Sequence, residues 1–183
     1  MGVTLRDMST NPREDDGRHD FDFLFGSWRV HNRKLERPFA GIPEWIEFGT
    51  TATARPILEG LGNVDTFRAE ASGGREAWEG CTLRLFDPVE RRWSIHWAST
   101  KRPGHLDPPV VGRFDGELGT FYGEDRLGDR HIRVRFEWQA LGADGARWEQ
   151  AFSADDGVTW ERNWIMTFMR DDTAQPASSF RES

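Results

Sequence analysis

The chain of 183 residues contains a single cysteine, Cys81, which rules out an internal disulfide and any multi-thiolate metal site. An isolated thiol of this kind reads as a small buried hydrophobe. No apolar run approaches the roughly 20 residues that a helix needs to cross a bilayer, and the N-terminus lacks the apolar segment of a signal peptide. No membrane partner is therefore expected, and a cytoplasmic location is the expectation that follows. A basic stripe is missing as well: the formal net charge is -7 and the pI near 5.3, with arginine interleaved among Asp and Glu. Phosphate recognition asks for clustered positive charge, so a nucleic-acid partner is not expected. No two histidines share a ligand spacing and no HExxH-like pair occurs, so no metal site is expected.

What the chain has in plenty is aromatic side chains, 13% of residues, with 9 Trp and 13 Phe. Nothing divides it into two hydrophobic blocks, and its length suits one domain with a substantial core. The stretch Phe21-Asp22-Phe23-Leu24-Phe25-Gly26-Ser27-Trp28-Arg29-Val30 joins an aromatic knot to an alternating strand through Gly-x-Trp. Glycine permits a sharp bend where the strand begins, and Trp28 faces the same side and can plug one end of a barrel. Phe21 to Phe25 suit a short helical turn, with Asp20 or Asp22 accepting hydrogen bonds at its start. Residues 1–19 are polar and without periodicity and are expected to form a disordered arm, and residues 171–183 a disordered tail. Residues 20–170 form the domain between them.

Ten strands can be read through that domain, beginning at about Ser27, Glu44, Asn63, Trp78, Arg92, Val110 and Thr120, then three more late in the chain. Asp87-Pro88-Val89-Glu90 is a good turn sequence and makes a hairpin of the fourth and fifth. One face of that hairpin carries Thr82, Arg84, Phe86, Trp93, Ile95 and Trp97. The other carries Cys81, Leu83, Leu85, Ser94, His96 and Ala98, and the pattern leaves open which is inside. Joined mostly by short turns, the strands predict an all-β fold, an up-and-down antiparallel barrel with a helical turn closing one end. A β-sandwich is the competing geometry.

Ser153-Ala154-Asp155-Asp156-Gly157-Val158-Thr159-Trp160 resembles the Asp-box of sialidases and other β-propellers, and its turn chemistry accounts for every fixed position. Asp155 is expected to accept backbone N–H groups, Gly157 to take a positive φ and Trp160 to pack beneath the turn. If the apolar phases of the last three strands share one side, Phe136, Gln150 and Arg162 fall in one cross-strand row, flanked by Trp148 with Trp164 and by Phe152 with Trp160. Arg162 inside a barrel must find an acid, a carbonyl, water or an anionic ligand. The plainer alternative is an arginine bonded to Gln150 and the backbone, or one at the rim reaching solvent. His96 is the single candidate for proton transfer, although short-range pairing sets no carboxylate beside it.

The runs Phe-Asp-Phe-Leu-Phe-Gly-Ser-Trp at 21–28, Leu-Phe-Asp-Pro at 85–88, Trp-Ser-Ile-His-Trp at 93–97, Asp-Pro-Pro-Val-Val-Gly-Arg-Phe at 107–114 and Trp-Glu-Gln-Ala-Phe-Ser at 148–153 together resemble a family of bacterial lipocalin-like domains of unknown function, within the calycin superfamily. The resemblance covers about residues 20–170. It implies a calycin-like barrel with an interior cavity and no transferable activity. A nitrobindin-like haem site would need a histidine on a late strand, where none occurs, so no cofactor is expected. The function expected is binding of a partly apolar small molecule, with allowance for an anionic group, by Trp28, His96, Trp138, Gln150, Arg162 and Trp164. The alternatives are a cofactor-free isomerase, cyclase or lyase working in the same cavity, and an interaction domain with a filled interior. A homodimer is allowed and not demanded.

Overall fold

A computed structural model describes residues 16–173 as a closed barrel of ten antiparallel strands, each hydrogen-bonded to its neighbours in sequence and the last to the first. In chain order these are β1 (Gly26–Leu35), β2 (Trp45–Ile57), β3 (Gly62–Ala69), β4 (Trp78–Asp87), β5 (Arg92–Ser99), β6 (Val110–Asp115), β7 (Leu118–Leu127), β8 (Arg130–Ala140), β9 (Gly145–Ser153) and β10 (Glu161–Arg170). Residues 1–15 and 174–183, which hold most of the expected arm and tail, lie outside the described residues. Among the described residues no helix is long and apolar enough to cross a membrane.

Alternation decides what each strand buries. In β8 Ile132, Val134 and Trp138 are buried while Arg133 and Arg135 take the opposite phase. The hairpin β4–β5 pairs Phe86 with Trp93, and its Thr82, Arg84, Phe86, Trp93 and Ile95 face inward. That resolves the face left open by the sequence. The inward position Gly80 lies under the Trp97 ring, where an added Cβ would come within 2.1 Å of it.

One end of the barrel is closed by the N-terminal segment. Phe21 is fully buried, with the rings of Phe114, Trp93, Phe121 and Trp138 at 5.0, 5.1, 5.7 and 6.1 Å. A 3-10 turn, Asp22–Leu24, follows it without a side-chain cap, since its N-cap position is Phe21 itself, and the Asp22 carboxylate lies 2.8 Å from His19 Nδ1. Gly26 enters β1 at φ +112°, and a Cβ there would meet Arg170 Nη1 at 2.8 Å. Arg170 lies over the Trp28 ring at 3.8 Å and donates to the carbonyls of Phe23, Phe25 and Ala143. Trp28 Nε1 donates to Leu24 O at 2.7 Å, so the indole is tied to the turn above it. Residues 16–19 run across the same end, where Gly17 O accepts from Trp93 Nε1 at 2.9 Å.

The Asp-box-like turn between β9 and β10 is built by its own side chains. Asp155 accepts from Ser153 Oγ, Thr159 N and Thr159 Oγ1, Gly157 has φ +93°, and Trp160 Nε1 donates to Gly157 O at 3.0 Å. The Thr159 hydroxyl, its backbone N–H and the Ser153 hydroxyl hold the Asp155 carboxyl down to about 2.

One expected register fails just after this turn. Phe136 pairs with Gln150 and Gln150 with Trp164, but Arg162 pairs with Ala151 because a β-bulge inserts Asn163. The extra residue reverses the phase, so Arg162 leaves the row with Phe136 and Gln150 and lies on the outer face. Trp160 lies outside too, against Tyr122 and Arg135.

Candidate functional site

The interior is partly hollow, with a cavity of about 620 Å³ that runs from the inner aromatic plug to the opposite rim. Much of its wall is apolar: Ile95, Val134, Phe136, Trp148, Trp164 and Met166 line it from β5, β8, β9 and β10. Trp148 and Trp164 share this side, their rings 5.5 Å apart and nearly perpendicular, and Phe136 meets Trp148 at 4.9 Å. Trp164 Nε1 donates to Asn32 Oδ1 at 3.0 Å, and Asn32 Nδ2 to Thr50 Oγ1 at 3.1 Å, which fixes that indole in the wall. Gln150 also lines the cavity, its amide donating to Asn163 Oδ1 at 2.7 Å.

At the inner end sits a buried polar group that the sequence left undecided. Arg84 is 1% exposed, and its Nη1 reaches Asp65 Oδ2 at 2.6 Å and Asn63 Oδ1 at 2.9 Å. The guanidinium lies 5.0 Å from the Phe21 ring and 5.1 Å from that of Trp138. Both Arg84 and Trp138 line the cavity, yet Arg84 Nε and Trp138 Nε1 make no hydrogen bond with any described residue. Asn63 Nδ2 and Asp65 Oδ1 beside them are likewise buried without a hydrogen bond among the described residues, so this corner concentrates unsatisfied polar atoms, which is unusual because such groups are normally paired.

The rim is set by Lys34 on β1, Lys101 after β5, and Asp107. Lys34 follows Trp28 in the same strand phase, about 20 Å further along the strand. Burial, foremost, and the Lys101 ammonium bring the Lys34 amine down to about 8, against an upward pull from Asp107. Lys101 is lowered by burial and by Arg75. Asp107 is raised by burial, with Arg102 opposing.

The sequence-derived candidates fare unequally in placement. Trp138, Gln150 and Trp164 line the cavity, while Trp28 belongs to the plug beneath it. His96 and Arg162 are on the outer face and line no part of the cavity. His96 shares the phase of Cys81 and Leu83, its Nε2 3.2 Å from Ser94 Oγ. Arg162 is half exposed and paired with Glu149 at 3.0 Å. Burial pushes the Glu149 carboxyl up, but hydrogen bonds from Arg162 and Arg147 outweigh it and leave the group below its usual range. The polar handle expected at Arg162 is therefore absent from the interior, and Arg84, from the opposite wall, supplies the guanidinium there. Lys34 and Lys101 were missed, although one signal was available: in a chain with 24 basic residues they are the two lysines.

No protein-family model and no curated protein sequence matches the chain. Solved structures do share its architecture. Rv2717c from M. tuberculosis superposes with a TM-score of 0.58 at 13% identity, over 85% of this chain and 97% of that one. The S-type phycobiliprotein lyase CPES from Guillardia theta does so with a TM-score of 0.56 at 12% identity, over 87% and 97%. Both are ten-stranded barrels of the calycin-like kind, and at these identities the likeness is one of fold.

Proposed function

We propose that this protein is a small-molecule-binding barrel, a lipocalin-like domain that holds a partly apolar ligand with a hydrogen-bond acceptor at its inner end. The observation that carries the reading is the aromatic-walled cavity of about 620 Å³, bounded at its inner end by Arg84 and Trp138, whose buried Nε and Nε1 donors have no acceptor among the described residues. Because Asp65 already answers the charge of Arg84, the inner end calls for a neutral oxygen, such as an ether or carbonyl, more than for an anion. Trp148, Trp164 and Phe136 supply flat apolar walls suited to a planar or conjugated body. The barrel's likeness to one named as a lyase supports, as a second reading, chemistry on what is bound.

Titration of the intrinsic tryptophan fluorescence with 2-methoxynaphthalene and with 2-ethylnaphthalene, its counterpart without an acceptor, tests the reading. Both should bind, and the ether about tenfold more tightly, the worth of one hydrogen bond to an otherwise unsatisfied donor. Trp138→Phe keeps the ring and removes the donor, so the preference should shrink toward unity. Failure of both compounds to bind below about millimolar concentration overturns the proposal.

A further inference from the structure

Only two of the 24 basic residues of this chain are lysines, and both line the one cavity described above. Each amine rests on an indole face: Lys34 Nζ is 3.7 Å from the Trp164 ring centre, and Lys101 Nζ 4.7 Å from that of Trp78. The distinction between the two basic side chains is chemical. A guanidinium stays protonated under any ordinary condition, whereas an amine can release its proton and expose a nucleophilic lone pair. Among the described residues Lys34 makes no hydrogen bond or ion pair, so no carboxylate in direct contact holds its charge in place. Lys101 acts on it as a like charge, which favours the neutral amine further.

We infer that Lys34 is a nucleophilic amine that captures an apolar aldehyde or ketone at the cavity rim as an imine, an inference that rests on the binding reading above. The Nζ lone pair attacks the carbonyl carbon, a C–N bond forms, and the carbonyl π pair moves to oxygen, which takes up a proton as nitrogen gives one up. The resulting carbinolamine loses its hydroxyl as water while C=N forms. Amine and carbonyl compound become imine and water, with no oxidant or reductant. The Trp164 face against Nζ favours positive charge on that nitrogen, so it opposes burial and Lys101 in the free amine and steadies the protonated imine once formed. The ligand so described carries an acceptor oxygen at its inner end and a reacting carbonyl at its outer end.

The charged groups facing Lys34 fix the pH behaviour. Lys101 lowers its proton affinity and Asp107 raises it, while Glu36 beyond β1 and Glu47 on β2 line the same rim. Glu47 is engaged by His31 and Arg33 on the outer surface.

The full chain is incubated with 6-methoxy-2-naphthaldehyde and sodium cyanoborohydride, which reduces any imine to a stable secondary amine, and followed by intact mass and peptide mapping. The expected product is one adduct per chain on Lys34, formed at least about tenfold faster than on Lys101 or the α-amino group, with half-maximal rate near pH 8. Lys34→Arg, which keeps the charge and has no releasable proton, should abolish the adduct. Lys101→Met should move the midpoint up and Asp107→Asn should move it down. Comparable labelling of Lys101 or the α-amino group, or labelling that survives Lys34→Arg, overturns the inference. Binding of 2-methoxynaphthalene is measured in parallel. Binding without Lys34 labelling overturns the imine and leaves the binding reading standing, whereas a cavity that takes neither compound overturns both.

Discussion

At the closed end of the barrel Arg84 is gripped by Asp65 and Asn63 inside a shell that includes Phe21 and Trp138. At the open end Lys34 has an indole face and, among the described residues, no carboxylate in hydrogen-bond reach. Both cations point into the same interior, and the difference between them separates scaffold from site. A buried charge with a direct counter-ion is costly to alter one partner at a time, while a partly desolvated charge lacking one is free to change protonation state. The closed end also gathers five aromatic rings around Phe21, and the open end carries Lys34, Lys101 and Asp107, each with its proton affinity displaced by burial.

The contrast is broken most forcefully by removing the counter-ion at the closed end. Asp65→Ala leaves the Arg84 guanidinium buried and unpaired and should cost about 3–5 kcal/mol of stability, read from urea unfolding. The double variant Asp65→Ala with Arg84→Met removes both charges and should regain most of that loss, since a buried pair replaced together is nearly neutral. A cost below about 1 kcal/mol for the single variant would mean that Arg84 is solvated through the cavity, and the two ends would then be alike.

At the open end the effect is smaller and depends on pH. Lys34 titrates at about 8 in the folded chain, below the 10.5 of an unhindered lysine. Between these values the unfolded chain binds more protons than the folded one, so stability should rise with pH through that window. The rise attributable to Lys34 is on the order of 3 kcal/mol. It is isolated by subtracting the profile of Lys34→Met from that of the parent chain, and a flat difference would place Lys34 in full solvent contact. Asp155 shows the opposite sign: its folded value of about 2 lies below 3.8. Its contribution is complete above about pH 4 and lost as pH falls toward 2, an acid-side effect that Asp155→Ala removes.

These unequal ends were unequally legible in the sequence. The plug announced itself because Phe21 to Trp28 combine aromatic density with a glycine whose positive φ forces the bend, all within local sequence. The hairpin β4–β5 was legible in register and not in orientation. Both of its faces are partly apolar, and only closure of the ten strands puts Arg84 rather than His96 inside. The ion pair of Arg84 with Asp65 joins β4 to β3, and no pattern along either strand foretells it. At β10 the alternation of Trp160, Arg162, Trp164, Met166 and Phe168 is unbroken in the sequence. The bulge at Asn163 interrupts it in space, held where the Gln150 amide reaches Asn163 Oδ1. A period-2 reading has no means of seeing an inserted residue whose neighbours keep the phase.

The smallest expected effects belong to the two residues that this bulge and that orientation move outside. Arg162 is paired with Glu149 on the surface, where truncation of an exposed ion pair costs within about 1 kcal/mol. Arg162→Ala should therefore barely change the unfolding midpoint and should leave 2-methoxynaphthalene affinity as it is. His96→Ala should do the same, because its ring contacts Ser94 on the outer wall and shares no surface with the cavity. A loss of affinity of tenfold or more in either variant would require the outer wall to communicate with the interior. The inside–outside division on which the comparison of the two ends is built would then fail at β5 or β10, and the chemistry would have to be sought on the outer face.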